Sequence, residues 1–231
     1  KRRPILINNW EATYFNFDEE LIVKIAKKAA EVGVDMMVLD DGWFGTRDDD
    51  TQALGDWYPN EKKLGCSLGE LAKRINDVGL KFGIWFEPEC VNPDSDLYRA
   101  HPDWAYHYDT RKSCELRQQL VLNLTREDVQ EHVFRSMDDM LCEYDMSYIK
   151  WDMNRAYSET GGQNLENSQE LWYRHTKAVY EIADKLKPKH PDLQIECCAS
   201  GGGRVDFGSL SHFDMVWTSD NTDPLDRLEI Q

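Results

Sequence analysis

The stretch YIKWDMNR, residues 148–155, places a lysine and an aspartate two positions apart in an otherwise apolar run. Successive side chains of a β-strand point to opposite faces of the sheet, so this run separates an apolar row from a polar row of Lys150, Asp152 and Asn154. Strands of parallel sheets are usually apolar on both faces, because helices cover both. A charged row therefore indicates either an edge strand that faces water or a strand that points its charges into a site.

The rest of the chain alternates between extended and helical segments. Extended runs are predicted over residues 4–10, 35–41, 81–89, 193–200 and 215–220. Helical spacing of apolar residues predicts helices from Asp18 to Gly33, over 68–78, from Thr125 onward, over 168–187 with Pro188 ending it, and near 206–213. The extended run 118–124 is interpreted as a flanking segment. This alternation predicts a parallel sheet with right-handed crossovers, as in doubly wound folds and (β/α)8 barrels.

Polar and aromatic side chains gather at the carboxyl ends of the predicted strands. They are Asn9, Trp10, Asp40, Asp41, Trp85, Glu87, Cys197, Cys198, Ser200 and Asp220. In α/β barrels this end of the strands forms the active-site face. An isolated edge strand would not explain the same placement on five other strands, so we expect the polar row of residues 148–155 to point into a site.

The net charge of the chain disfavours some classes of binding partner. Its 231 residues carry a formal net charge of −16. This balance disfavours nucleic acid, because phosphate binding needs clustered Lys and Arg, and it disfavours an anionic membrane surface. A neutral or cationic small substrate is expected, although acidity also serves solubility.

The cysteines and glycines indicate neither a metal site nor a nucleotide site. The six cysteines form no CxxC pair and no His lies at zinc-finger spacing, so no structural metal is expected. We interpret them as free thiols in a reducing compartment and expect a cytoplasmic protein. The GGGR at 201–204 follows a strand but lacks GxGxxG spacing, so no dinucleotide cofactor is expected.

Several carboxylates converging with aromatics and one lysine suit glycoside hydrolysis. That reaction needs one carboxylate as nucleophile and another as general acid/base. Asp152 is the nucleophile candidate, because Lys150 on the same strand face favours its ionised form. Asp220, in WTSDNTD, is the candidate acid/base.

The remaining candidates would bind the sugar. Asp40 and Asp41 can accept hydrogen bonds from paired hydroxyls. Flat apolar walls for the C–H face of a sugar are expected from Trp10, Trp43 and Trp85.

Each feature also has a simpler interpretation when taken alone. Lys150 and Asp152 would form a plain ion pair, Asp40 and Asp41 half of a Mg²⁺ site, and Asp220 a helix cap. Tryptophans belong to the core more often than to a platform. His175, on an apolar helix face, is predicted to be a core histidine with satisfied hydrogen bonds. These interpretations weaken jointly, since every strand end would have to be a coincidence.

The motifs resemble a known family. LDDGWF, GIWFEPE, YIKWDMNR, CCASGGGR and WTSDNTD, in that order, are similar to the α-galactosidases of glycoside hydrolase family 36. The similarity runs from residue 6 to residue 227. It implies a retaining α-galactosidase that acts on melibiose- and raffinose-type oligosaccharides, without a cofactor, and a homo-oligomer, since the family often forms tetramers.

The resemblance also assigns roles by motif. It implies that Asp152 is the nucleophile and Asp220 the acid/base. It further implies hydroxyl contacts from Asp40, Asp41, Lys150 and Arg117, pocket walls from Trp10 and Trp85, and positions for Cys198 and Gly201 near the carbon next to the anomeric centre.

Proteins of that family are several times longer than this chain. We therefore interpret residues 1–231 as a catalytic barrel within a longer multidomain protein. The expected fold class is α/β, a (β/α)8 TIM-type barrel truncated after about six strands. Three other functions stay open: a galactosyl transferase of the raffinose-synthase type, a non-catalytic sugar-binding barrel, and a metal-dependent hydrolase that uses Asp40 and Asp41.

Overall fold

The secondary structure alternates between short strands and longer helices. The computed structural model describes residues 2–159, 161 and 164–230. The strands are β1 Leu6–Asn8, β2 Met36–Leu39, β3 Lys81–Phe86, β4 Cys90–Val91, β5 Leu120–Val121, β6 Tyr148–Trp151, β7 Gln194–Cys197 and β8 Met215–Val216. The helices are α1 Trp10–Thr13, α2 Glu19–Glu31, α3 Glu61–Leu64, α4 Leu68–Asp77, α5 Asp96–Ala100, α6 Glu127–Glu143, α7 Leu171–Lys189, α8 Phe207–His212 and α9 Asp226–Ile230, with 3₁₀ turns at Pro102–Trp104 and Ser168–Glu170.

Within the described residues, six parallel strands form one curled half-barrel in the order β1-β2-β3-β6-β7-β8. The predicted parallel sheet of six strands is therefore confirmed. The segment 118–124 is not a barrel strand, because β5 pairs antiparallel with β4 in a separate sheet of two strands. The chain carries the strands of a partial barrel.

The two faces of the half-barrel differ in chemistry. The outer face packs against the helices and contributes to the large apolar core, for example through Met37, Leu39 and Ile149. The inner face holds a small cluster of Met36, Val38, Tyr148 and Met215. Interior side chains thus alternate with core side chains along each strand.

The register aligns the polar row of β6 with its neighbours. Trp85 of β3 and Glu196 of β7 are the register partners of Lys150. Because partners in adjacent strands project to the same face, these three side chains lie side by side inside the half-barrel. The polar row of residues 148–155 therefore points inward, as expected.

Several helices begin at a side chain that caps them. The carboxylate of Asp18 accepts the Leu21 N–H at the start of α2, as predicted. Ser67 caps α4 and Asp206 caps α8 in the same way. Such caps satisfy backbone N–H groups that have no partner within the helix. No helix among the described residues is both long and apolar enough to cross a membrane.

Three predicted boundaries are wrong. Thr125 does not open α6, which begins at Glu127 with Arg126 directly before it. Pro188 does not end α7, which continues to Lys189, and the His190 N–H still donates to Leu186 O. Trp10 belongs to α1 rather than to the end of the first strand.

The close approach of β3 and β6 inside the half-barrel yields a test of the fold. A Cβ on Gly83 would lie 2.7 Å from Tyr148 Cβ. Gly83→Ala should therefore lower the free energy of unfolding by about 1–3 kcal/mol, the usual cost of overpacking. Urea denaturation of the full-length protein measures it.

Gly69→Ala is the control, since the nearest atom to its Cβ would be a Tyr144 ring carbon at 3.3 Å. We expect little change there. An unfolding midpoint for Gly83→Ala equal to that of the wild type would contradict the contact.

Candidate active site

A cavity of about 390 Å³ lies inside the half-barrel, at the carboxyl ends of its strands. Eight of the ten residues selected from the sequence line it: Trp10, Asp40, Asp41, Trp85, Arg117, Lys150, Asp152 and Asp220. The other two, Cys198 and Gly201, lie directly behind its wall, in contact with Asp152 and Asp220 respectively. Strand ends far apart in sequence therefore meet at one site.

Trp43 does not line the cavity. Its side chain is fully buried and its indole N–H donates to the backbone oxygen of Trp85, 2.9 Å away. The prediction of a sugar wall is wrong for Trp43, which is part of the core. Trp85 is also buried, but one ring edge reaches the cavity and donates from Nε1 to Asp152 Oδ2 at 3.1 Å.

Asp152 follows β6 and is held by several donors. Oδ1 accepts the Met153 N–H at 2.8 Å, and Oδ2 accepts Asn154 Nδ2 at 2.8 Å. The Cys198 thiol is a further hydrogen-bond donor to this carboxylate. Burial alone would raise the pKa of Asp152, but the charge of Lys150 and these hydrogen bonds lower it. Asp152 is therefore an oriented anion.

Lys150 and Arg117 are the cations that line the cavity among the described residues, and Lys150 is the more deeply buried of the two. Its ammonium donates to Asp40 Oδ2 at 2.9 Å and is almost completely buried. Burial by itself would lower the pKa of Lys150, but the carboxylates of Asp40 and Asp152 raise it. Glu196, its register partner, lines the same cavity, and burial raises the pKa of Glu196.

Asp41 has a cation of its own. Arg47 donates from Nε to Asp41 Oδ1 at 2.7 Å and from Nη2 to Oδ2 at 2.8 Å. Burial still raises the pKa of Asp41, against the opposing charge of Arg47. Because Lys150 and Arg47 already neutralise Asp40 and Asp41, the pair is a poor Mg²⁺ ligand set.

A second buried carboxylate stands behind Asp152. Glu87 accepts the backbone N–H of Asn154, and its Oε2 accepts Asn154 Nδ2 at 3.1 Å and Gln119 Nε2 at 3.2 Å. The Asn154 amide thus bridges Glu87 and Asp152. Burial, followed by the charge of Asp152, raises the pKa of Glu87 to about 8. At neutral pH Glu87 holds a proton while Asp152 is ionised.

Asp220 lines the same cavity in a more open position. It follows β8, is exposed to solvent, and its Oδ1 accepts the Trp217 indole N–H at 3.0 Å. The Arg227 guanidinium stacks on the Trp217 ring, 4.4 Å from its centroid, and donates to Ser219 O at 3.0 Å. The carboxylate is therefore directed by its neighbours but stays accessible to water.

Arg117 reaches the cavity from outside the half-barrel. It directly precedes the flanking segment 118–124 and has φ = 52°, and the next residue, Gln118, has φ = 58°. This left-handed turn carries the Arg117 side chain over the strand ends, where it lines the cavity. The turn that leads into the flanking segment thus supplies part of the wall of the site.

Sequence reasoning missed Glu196 and Trp217, which line the cavity. It placed Asn154 and Glu87 at the strand ends without giving either a role. Asn154 lines the cavity, and Glu87 lies behind it. Strict alternation would have identified Glu196, which is two positions before Cys198 on an inward-facing strand. Nothing in the sequence indicated that Arg47 belongs to the site, because it directly precedes Asp48–Asp50 in a polar loop.

His175 is a core histidine, as predicted. Its ring is fully buried between Glu89, 2.9 Å from Nε2, and the Tyr106 hydroxyl, 3.0 Å from Nδ1. All six cysteines lie in the described part of the chain and are free thiols.

One further group of metal-type ligands lies outside the cavity. Asp138, Cys142 and His190 have ligand atoms within 4.8 Å of one another. Asp138 already pairs with Lys189 and His190, however, so its charge is satisfied without a metal ion.

Glu87 and Glu89 give a matched test, since both are fully buried and stand two residues apart. The pKa of Glu87 is raised from 4.5 to about 8, so the folded state keeps a proton that the unfolded state releases, and stability falls as pH rises through that window. Gln cannot ionise. Glu87→Gln should therefore gain stability relative to the wild type between about pH 5 and about pH 8.

Glu89→Gln should behave in the opposite way. Against the effect of burial, Arg204 and His175 lower the pKa of Glu89 to about 2, so the carboxylate stabilises the fold above pH 4.5 and this contribution is lost as pH falls through 2. The variant should be less stable than the wild type, by an amount that shrinks in acid. Urea denaturation at several pH values measures both, and equal pH trends would refute the assignment.

Known proteins share this architecture over the whole chain. The profile of the Melibiase family matches residues 1–231. The chain is 49% identical over 233 residues to the alpha-galactosidase AgaA of Geobacillus stearothermophilus, covering all of this chain and 32% of AgaA. It is 48% identical over 230 residues to the bifunctional alpha-galactosidase/sucrose kinase AgaSK of Mediterraneibacter gnavus, covering 24% of that protein. The chain thus spans about a third or less of the length of these relatives.

The comparison with solved structures agrees with the comparison of sequences. The crystal structure of AgaA superimposes on the chain with a TM-score of 0.96 at 49% identity, over 100% of this chain and 32% of that one. Variants of AgaA in complex with raffinose and with stachyose superimpose with a TM-score of 0.95 each. With a family match from end to end and this degree of likeness in fold, the chain belongs to the Melibiase family.

Proposed function

We propose that this chain carries the catalytic site of a retaining α-galactosidase, which hydrolyses terminal α-galactosyl residues of oligosaccharides by double displacement. The observation that carries the proposal is that Asp152 and Asp220 line one cavity together with the polar and aromatic groups that a sugar ring needs. The names of the relatives, AgaA and AgaSK, support the α-galactoside class.

Asp152 suits the nucleophile. It is buried and anionic, and its hydrogen bonds leave it oriented towards the cavity. In the first step it attacks the anomeric carbon and forms a covalent β-galactosyl ester. Lys150 and the surrounding donors then stabilise the carboxylate when it leaves in the second step.

Asp220 suits the general acid/base. It must protonate the leaving oxygen in the first step and remove a proton from water in the second. Both roles require access to solvent and to the aglycone, and Asp220 is the exposed carboxylate of the pair. A retaining enzyme keeps its two carboxylates roughly 5–5.5 Å apart.

The other cavity groups suit galactose. Asp40 and Asp41 are acceptors for neighbouring hydroxyls. Each forms an ion pair with a cation that fixes the orientation of its side chain. Lys150 and Arg117 are donors for further ring oxygens, and Trp10 gives an apolar wall.

The substrate class follows from the relatives and from the chemistry of the cavity. AgaA variants have been crystallised with raffinose and stachyose. The chain shares 49% of its sequence with AgaA, and its own strong negative charge suits a neutral sugar. We infer that melibiose, raffinose and longer members of this series are substrates.

Hydrolysis of p-nitrophenyl α-galactoside by the full-length protein tests the proposal. NMR of the first product should show α-galactose, which later mutarotates. β-Galactose as the first product would mean inversion, and no hydrolysis would exclude the activity. A sugar acceptor that diverts galactose from water would favour a transferase, and loss of activity in a chelator would favour a metal-dependent hydrolase.

Replacement of the two acids should separate their roles. Asp152→Asn should lower kcat about a thousandfold or more for every substrate, because no covalent intermediate forms. Asp220→Asn should lower kcat/KM far more for raffinose than for p-nitrophenyl α-galactoside, whose leaving group needs little protonation. Steady-state kinetics on both substrates measures this.

Asp138→Asn is the matched control. Asp138 is a buried, ion-paired aspartate outside the cavity. Its loss should cost stability and leave kcat close to that of the wild type. If Asp152→Asn kept a tenth of the activity, Asp152 would not be the nucleophile.

A further inference from the structure

A single loop contacts the surroundings of both candidate catalytic acids, Asp152 and Asp220. Residues 198–204, here called the 198–204 loop, follow β7 and turn sharply, with φ = 47° at Ser200 and φ = 82° at Gly201. The Ala199 N–H donates to Gly201 O at 2.9 Å, which closes this turn. The loop lies between the ends of β6 and β8.

One side of the loop contacts Asp152. The Cys198 thiol is a hydrogen-bond donor to the carboxylate. Ser200 Oγ donates to Asn154 Oδ1 at 3.1 Å, and Asn154 Nδ2 donates in turn to Asp152 at 2.8 Å. Two contacts therefore link this side of the loop to the nucleophile.

The other side packs against the backbone of Asp220. A Cβ on Gly201 would lie 2.8 Å from Asp220 N and 2.9 Å from Ser219 Cα. At such distances no side chain fits, so the Gly201 backbone rests directly on the segment that carries Asp220. The position of the loop sets the position of that segment.

Arg204 anchors the loop. It donates from Nη1 to Glu89 Oε1 at 2.6 Å and from Nη2 to Cys198 O at 3.2 Å, so it ties the end of the loop to its beginning. Glu89 is fully buried and also accepts Trp151 Nε1 at 2.8 Å, and it pairs with His175 Nε2 at 2.9 Å. The anchor is therefore a fixed point in the core next to β6.

The two acids depend on the loop to different degrees. Asp152 has further donors in Trp85, the Met153 N–H and Asn154. Asp220 is exposed, and among the described residues its carboxylate accepts one direct hydrogen bond, from Trp217. Loosening the loop should therefore disturb Asp220 more than Asp152.

We propose that Arg204, held by Glu89, is a positioning residue that fixes the 198–204 loop and, through Gly201, aligns Asp220 with the glycosidic oxygen. The proposal rests on the function proposed above. Arg204 does not line the cavity that Asp152 and Asp220 share, so its effect should fall on the step that needs the proton of Asp220.

Arg204→Lys tests this, because lysine keeps a positive charge near Glu89 but lacks the planar fork that also reaches Cys198 O. The parameter kcat/KM reports steps up to departure of the aglycone. In the full-length protein, it should fall about tenfold or more for raffinose and less than about threefold for p-nitrophenyl α-galactoside.

Arg155→Lys is the matched control. Arg155 is a buried arginine that donates to the backbone oxygens of Gln119 and Cys114, at 2.5 and 3.2 Å, outside the loop. Its replacement should lower both kcat/KM values by the same factor.

A glycine pair gives the same comparison without disturbing a buried charge. Gly201→Ala places a methyl group against Asp220 N. It should lower kcat/KM for raffinose more than kcat/KM for p-nitrophenyl α-galactoside. Gly33→Ala is the control, because Gly33 has a similar backbone strain, at φ = 85°, and no atom lies within 4 Å of the new Cβ. The ratio of kcat/KM for raffinose to kcat/KM for p-nitrophenyl α-galactoside should therefore stay that of the wild type. If Arg204→Lys fails to fold, this pair decides.

The outcomes are distinct. A preferential loss on raffinose in Arg204→Lys and Gly201→Ala supports the proposal. Equal losses on both substrates overturn it and leave the proposed function intact. A wild-type protein that hydrolyses neither substrate overturns the proposed function itself.

Discussion

The site depends on the charge interaction between the Lys150 ammonium and the carboxylates around it. The ammonium lies inside the half-barrel, where Asp40, Asp152 and Glu196 converge, and it donates directly to Asp40 at 2.9 Å. A buried carboxylate without a counter-charge takes up a proton, because the low dielectric disfavours the anion. Without this cation the interior could not hold an ionised Asp152. The register that puts Lys150 between Trp85 and Glu196 is therefore an electrostatic requirement as well as a packing arrangement.

Of three neighbouring buried acids, one is neutral and two are anions, because their partners differ. Asp152 is anionic beside Lys150. Glu87, two positions from Glu89 along the chain, meets amide donors and the charge of Asp152, so its pKa rises to about 8. Glu89 meets Arg204 and His175, and its pKa falls to about 2 despite complete burial. Amide donors do not offset the burial of Glu87, whereas the cations beside Glu89 and Asp152 do. A neutral Glu87 and an anionic Asp152 can therefore share the bridging amide of Asn154.

The sequence predicted what depends on local pattern. Alternation along residues 148–155 fixed which side chains point inward, and the parallel arrangement then brought distant strand ends together. It did not predict Arg47 or Arg204, because their partners Asp41 and Glu89 are brought near them by loop conformations that have no periodic signal. Trp43 illustrates the same limit, since an aromatic residue at a strand end is directed to the core or to the cavity by the turn that follows.

The unequal support of the two acids fits the unequal demands of the proposed reaction. A nucleophile stays anionic until it forms a bond, and misplacement costs rate steeply, so it belongs on a strand with its oxygens held by fixed donors. An acid/base must exchange a proton with water between the two steps, so burial behind several donors would trap it in one state. Asp220 keeps this freedom by lying exposed, and it obtains alignment from the backbone beneath it rather than from bonds to its carboxylate. The ion pair of Arg204 and Glu89 holds the loop on which Asp220 rests without a hydrogen bond to the Asp220 carboxylate itself.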